Sequence, residues 1–147
     1  MRLIYIAGFA ALASASALAE PLAGVASEAA AAVDAFHAAL NRGDTAAAAA
    51  LVADDALIFE SGETEHSKAE YAAHHLAADA AFSQAVLSKL IRRSGGGDGN
   101  LAWIASEGRT TGNYKGRAVD SATTETMLLR RTPQGWRIVH IHWSSAR

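Results

Sequence analysis

Three groups of side chains in this sequence have types and spacings that support chemistry. Glu107 and Arg109 lie two apart in the run Leu101 to Gly112, and Glu125 sits inside the run Arg117 to Arg131. Tyr71 and His75 are four apart in the stretch that follows Ser67. A carboxylate moved from water into apolar surroundings becomes harder to ionise, and it can then serve as a general base or acid. The ordinary alternative is an internal Glu–Arg pair that only satisfies buried charge. Tyr71 can donate a hydrogen bond to a ligand carbonyl. His75 and His37 are the histidines placed to join it, and each of the three can equally be a satisfied core residue. His140-x-His142 invites a metal reading, with His66, His74, His75 and Asp79 as further ligands. No closed tetrahedral set at familiar spacing appears, so no metal is expected. There is no cysteine nucleophile, no G-x-S-x-G elbow and no phosphate loop, since Gly95–Gly99 is followed by a strand pattern. No cofactor is expected either.

Helices come first and strands later. Ser27 and Glu28 suit a helix start, Val33, Phe36, His37 and Leu40 share one helical face, and Gly43 ends the helix. Asp44 suits the cap of a short second helix through the alanine run to Leu51-Val52. Ala56 to Phe59 reads as a strand, with Glu60 to His66 as a polar turn. Ser67 and Glu70 form a capping box, which predicts a third helix to about Phe82. On it, Tyr71, His75, Ala78 and Phe82 share a face. Val86 to Arg93, Leu101 to Gly112, Arg117 to Arg131 and Trp136 to Ser145 are β-rich runs. The separators are Gly95–Gly99, Asn113–Gly116 and Pro133–Gly135, each suited to a hairpin loop. A meander of four antiparallel strands follows, hence an α+β domain with helices on one face of a curved sheet.

Alternation along the strands groups the candidates. Val139, Ile141 and Trp143 share one face of the last strand, and Ile138, His140 and His142 the other. The apolar set should face the helices, which sends His140 and His142 outward. Trp103, Ala105, Glu107 and Arg109 form one set, and Thr123, Glu125, Met127 and Leu129 another.

The chain has 147 residues, no cysteine and a formal net charge of −2. That balance argues against a nucleic-acid partner, which calls for a strongly basic face. Residues 20–83 hold two basic and eleven acidic side chains, and residues 84–147 hold ten basic and four acidic. This reads as an acidic helical layer on a basic sheet. Arg2, the apolar stretch Leu3 to Leu12 and the closing Ala17-Leu18-Ala19 fit a cleavable signal peptide over residues 1–19. The expectation is a periplasmic or secreted product with no membrane contact after cleavage, residues 20–26 as a short leading segment and a single domain over 27–147.

That element order resembles the nuclear transport factor 2-like (SnoaL-like) superfamily. The strongest likeness lies in Glu125-Thr126, Arg130-Arg131 and the run Gly135 to Ser145, which is similar to the closing hairpin of the calcium/calmodulin-dependent kinase II association-domain branch, with its exported bacterial members. The resemblance implies a cone-shaped domain: a curved antiparallel sheet with about three N-terminal helices packed on its concave face, a pocket between them, and a homodimer through the sheet. It places Trp103, Glu107, Arg109, Glu125, Met127 and Trp143 on the concave side, with Tyr71 and His75 from the third helix as further pocket residues. The positions matching that branch's pocket arginines are Ala105, Met127 and Trp143, so the resemblance carries no cationic pocket. The resemblance implies no single activity, and the leading reading is binding of a small, mostly apolar molecule. The alternatives are an isomerase, dehydratase or cyclase using Glu107 or Glu125 as base with Tyr71 or His75 as polariser, and a dimeric assembly module. Exposed Ile138 and its neighbours would be the sheet face needing cover.

Overall fold

Residues 22–146 are described by the computed structural model, so the signal peptide expected over residues 1–19 lies outside the described residues. Helix α1 spans Gly24–Asn41 and buries Val33, Phe36 and Leu40. It begins three residues before Ser27, and Glu28 turns instead to the sheet, where it pairs with Arg131 and accepts from the Trp136 indole. Its end is a Schellman turn: Gly43 at φ 72° donates to Leu40 O, and Asp44 N donates to Ala39 O at 2.9 Å. Asp44 then caps α2, Thr45–Leu51, by accepting from Ala47 N at 2.9 Å.

Strand β1, Val52–Glu60, turns through Ser61-Gly62 into the short β2, Glu63–Glu65. Ser67 caps the next helix by accepting from Glu70 N, and Glu70 reaches back to His66 N at 2.7 Å. The single third helix expected to run to Phe82 is two helices, α3 Lys68–His74 and α4 Leu76–Ala85, broken at His75. The break shifts the buried stripe by one position. Tyr71, Leu76 and Ala80 are buried, and Ala78 is exposed.

The meander follows as β3 Val86–Asp98, β4 Leu101–Tyr114, β5 Arg117–Thr132 and β6 Gly135–Ala146. The sheet order is β2-β1-β6-β5-β4-β3, with β1 parallel to β6 and every other pair antiparallel. The helices cover one face of this curved, open sheet, and α1 touches β3, β4 and β6. The core joins Val33, Phe36 and Leu40 to Ile104, Met127, Leu129, Ile138 and Ile141 on that inner face. Each such side chain contributes roughly 1.5–3 kcal/mol on burial.

The glycine run belongs to a strand rather than a loop. Gly95, Gly96 and Gly97 pair with Ile104, Trp103 and Ala102, and the hairpin loop shrinks to Gly99-Asn100. The reason is crowding. A Cβ on Gly97 would lie 2.7 Å from Leu101 O and 2.8 Å from Val25 Cγ1, and one on Gly96 would lie 2.9 Å from the Trp103 indole nitrogen. The start of α1 presses on one side of this strand and Trp103 lies across the other.

Candidate functional site

Register settles which candidates meet. On β5, Glu125, Met127 and Leu129 point inward as expected. On β4 the inward set is Ala102, Ile104, Ser106, Gly108 and Thr110, opposite Leu129, Met127, Glu125, Thr123 and Ser121. Trp103, Ala105, Glu107 and Arg109 therefore belong to the outer face, one residue out of step with the expectation. Both sets of β4 carry apolar residues, so alternation alone could not choose. The close approach of α1 admits small Ala102 inside, and bulky Trp103 covers the bare backbone of Gly96 outside. Arg109 pairs with Asp120 at 2.6 Å and not with Glu125. Glu107 touches the rim of the inner cavity, yet it stands opposite outward Thr124 and is exposed.

A bulge on β6 corrects a second expectation. The pairing jumps from Leu128↔His140 to Leu129↔Ile138, leaving Val139 as the extra residue. Trp136 and Ile138 are thus inward together with Ile141 and Trp143, and Ile138 is a core residue rather than an exposed one. His140 and His142 face outward beside Phe59, at ring-centroid distances of 5.1 and 6.0 Å. Among the described residues no three His, Asp or Glu side chains converge as a metal set.

Between the helices and the inner face of the sheet lies a cavity of about 510 Å³. Leu40, Phe82, Leu90, Val119 and Trp143 supply apolar wall, and Ser88, Ser106, Thr110 and Thr123 supply hydroxyls. Glu125 sits in the sheet wall and is 9% exposed. Two donors converge on one of its oxygens: the Trp143 indole N–H reaches Oε2 at 2.7 Å and His37 Nε2 reaches the same atom at 2.8 Å. Oε1 is left for another partner. Burial works to raise this carboxyl, but the His37 bond and charge, the Trp143 N–H and the Arg93 guanidinium outweigh it and hold Glu125 below the usual glutamate range. Arg93 comes from β3 and also bonds Asp34 at 2.7 Å and Ser106 at 3.3 Å. A cation therefore does line the cavity, from a strand that the resemblance did not point to.

The helix side of the cavity is built differently. Tyr71 is fully buried and donates to Asp79 Oδ2 at 2.8 Å. Its ring lies 6.5 Å from that of Trp143, which in turn stacks on Phe36 at 6.3 Å. Asp79 and Glu60 both line the cavity. Burial pushes Asp79 up against the opposing pull of the Tyr71 bond. Burial and the Asp79 charge push Glu60 up as well. Tyr71 is raised by burial and by those same two carboxyls.

Of the eight residues singled out in the sequence, Glu125 and Trp143 line this cavity and Glu107 reaches its rim, while Tyr71 is fully buried behind the wall and bonded to Asp79. Met127 is fully buried in the core. His75 turns away to Glu63 and Glu65. Trp103, Glu107 and Arg109 belong to the outer face. His37, a candidate pocket residue in the sequence, does line the cavity; Glu60 and Arg93 were missed, and Asp79 was a candidate only as a metal ligand. His37 had a signal, since it is one step from Phe36 on the buried face of α1. Asp79 did not, because only the break at His75 brings it round beside Tyr71.

A cone of curved sheet closed by helices over an internal cavity defines a nuclear transport factor 2-like domain. The SnoaL-like domain model matches residues 29–147, and the chain belongs to that family. Among solved structures it is similar to a candidate ketosteroid isomerase from Shewanella frigidimarina NCIMB 400, at 36% identity and TM-score 0.76, over 80% of this chain and 94% of that one. A candidate calcium/calmodulin-dependent protein kinase II association domain from Xanthomonas campestris shares the fold at 23% identity and TM-score 0.73, over 92% and 98%. So does a candidate dehydratase from Streptomyces avermitilis, at 19% identity and TM-score 0.70, over 82% and 95%. No curated protein matches the chain.

Proposed function

We propose that this domain binds a small molecule in the cavity between α1, α4 and the sheet, anchored by Glu125. The observation that carries the reading is the half-used carboxylate. Glu125 is buried, ionised and fixed through Oε2 by His37 and Trp143, which aims its remaining acceptor oxygen at a ligand donor or an acidic C–H. The apolar wall favours a ligand with an apolar body. Ser88 and Thr110 bond each other and Ser106 accepts from Arg93, so these hydroxyls give the sheet wall polar points beside its apolar surface without requiring a polar ligand. Native mass spectrometry of the purified protein tests this. A co-purified or added ligand should be retained by wild type and weakened by Glu125→Gln, and equal retention by both would sink the anchor role.

A second reading is favoured by the contrast between the two walls. Glu125 is held below the ordinary range, whereas Asp79 and Glu60 are pushed above it. Carboxyls whose environments separate their proton affinities are the arrangement from which an acid and a base are assigned. The Shewanella relative is named for ketosteroid isomerase, and this chain would follow it as an isomerase with Glu125 as base and Asp79 as proton donor.

Two further proposals concern context. We infer export: residues 1–19 act as a signal, leaving a periplasmic or secreted domain whose N-terminal sequencing should read from Glu20. A retained Met1 would refute it. We also infer a homodimer through the outer face of the sheet, where Phe59, Trp103 and Leu128 are 36–43% exposed. Trp103 and Leu128 pair across β4 and β5, and a partner sheet laid on this face would cover them. Trp103→Glu should turn a dimer into a monomer by light scattering at micromolar concentration without unfolding it. A wild-type monomer there would exclude both the dimer and the assembly-module reading.

A further inference from the structure

The two ring nitrogens of His75 face two different carboxylates. Nδ1 meets Glu65 Oε1, and Nε2 lies 2.9 Å from Glu63 Oε2. A neutral imidazole carries one N–H, so only the imidazolium can donate to both at once. Glu63 and Glu65 are two apart on β2 and so share a side of that strand. Glu65 is buried and is also reached by His74 Nδ1 at 3.2 Å. β2 is a three-residue edge strand, tied to β1 through the positive-φ pair Ser61-Gly62. The cavity wall includes Glu60 and Ser61 of this same hairpin. On the helix side, His75 N donates to Tyr71 O and Asp79 N donates to His75 O, both at 3.0 Å. One residue thus connects the hairpin to the Tyr71–Asp79 pair.

We propose that His75 is a positioning residue: its doubly bonded ring clamps the β1–β2 hairpin onto the α3–α4 junction, sets the Glu60–Asp79 wall of the cavity, and lets go as the ring loses its proton. The titratable groups around the ring are Glu63 and Glu65 of β2, Glu60 of β1, Asp79 of α4, and His74 and Tyr71 of α3. Lys68 of α3 is already paired with Asp54 of β1 and offers no substitute cation. The Glu65 bond raises His75 above the ordinary value of 6.5, against partial burial, and Glu63 adds to the rise. Burial raises Glu65, but the bonds from His75 and His74 bring it below 4.5. The histidine contribution is therefore complete below pH 6.5 and lost as pH climbs through the raised value. The glutamate contribution is complete above pH 4.5 and lost as pH falls through the lowered one. His75's charge also acts on Glu60 and Asp79, so release leaves that wall without its facing cation.

The inference concerns the protein without ligand, and it stands or falls separately from the binding reading. Nitrogen-15 NMR of the histidine rings, with amide hydrogen exchange followed against pH on the folded domain, tests it. His75 should be more than half imidazolium at pH 6.5, where an unperturbed histidine is at its midpoint. Across its titration the protection of the Glu63 to Glu65 amides should fall about tenfold, the scale of one lost charge-assisted hydrogen bond, while β4 and β5 amides hold. His75→Gln should abolish the step. Glu63→Gln, which leaves Glu65 and the fold in place, should move it to lower pH. A His75 that is mostly neutral at pH 6.5, or a step that survives His75→Gln, overturns the latch. If His75→Gln does not fold, an unmoved step in Glu63→Gln overturns it alone.

Discussion

Trp143→Ala should destabilise the domain by about 3 kcal/mol, toward the lower end of the range for truncating a packed aromatic because the ring is only half-buried. Three contributions are lost together. The indole stacks on Phe36, leans on Tyr71, and donates its N–H to Glu125. Losing the first two opens a void at the centre of the inner face. Losing the third leaves a buried carboxylate on His37 alone. For a domain of this size the melting temperature should drop by roughly 10 °C. Trp143→Phe separates the parts. It keeps a ring against Phe36 and loses only the hydrogen bond, so it should cost about 1–2 kcal/mol. Denaturant unfolding of both variants against wild type makes the comparison. A cost below about 1 kcal/mol for the alanine variant, against the expectation for a packed aromatic, would mean that Trp143 is not a wall of the cavity.

The parts of this fold that were legible in the sequence are those set by local chemistry. Asp44 and Ser67 cap helices because their side chains accept from backbone N–H groups nearby, and Gly43 ends α1 because a positive φ is needed there. The strands of the meander followed from β-rich runs and turn residues, and the family from the closing run Gly135 to Ser145. Long-range contacts decided the rest. The glycines Gly95–Gly97 looked like a loop because nothing local revealed that α1 and Trp103 sandwich that strand. His75 breaks a helix that the capping box and periodicity predict as continuous, because two carboxylates on a separate strand hold its ring. A single-residue bulge at Val139 reverses the facing of Ile138, and a bulge leaves no mark on apolar periodicity. Glu125 and Trp143 were placed correctly because β5 has an unambiguous apolar set in Met127 and Leu129 and β6 ends on a clean alternation. β4 offered two apolar sets, and the bulkier residue proved to be the outer one. Candidate sites inherit such errors whole: one wrong register carried Trp103, Glu107 and Arg109 to the wrong face together.

Glu125→Gln should distinguish an enzyme from a binding protein more sharply than any other change at this site. The substitution keeps the shape and an oxygen that can still accept from the Trp143 indole and from His37 Nε2–H, so the cavity should survive. What disappears is the charge. Because Glu125 is held below its ordinary value, its ionised form contributes stability that is present above pH 4.5 and lost as pH falls through the lowered value. The variant should therefore be modestly less stable than wild type at neutral pH, and the difference should vanish in acid. If Glu125 is the base of an isomerase, the larger effect is on turnover. Removing a positioned general base costs about 10²–10⁴-fold. Exchange of the acidic carbon-bound protons of a ketosteroid for deuterium, followed by NMR, reads that step directly. Wild type should catalyse it and Glu125→Gln should lose it, with the remaining rate no longer falling in acid. Under the binding reading neither protein exchanges the protons, and the variant shows only weakened ligand affinity. Wild-type exchange retained in full by Glu125→Gln would exclude Glu125 as the base. Asp79 would then be the group to test, since Tyr71 holds only one of its oxygens.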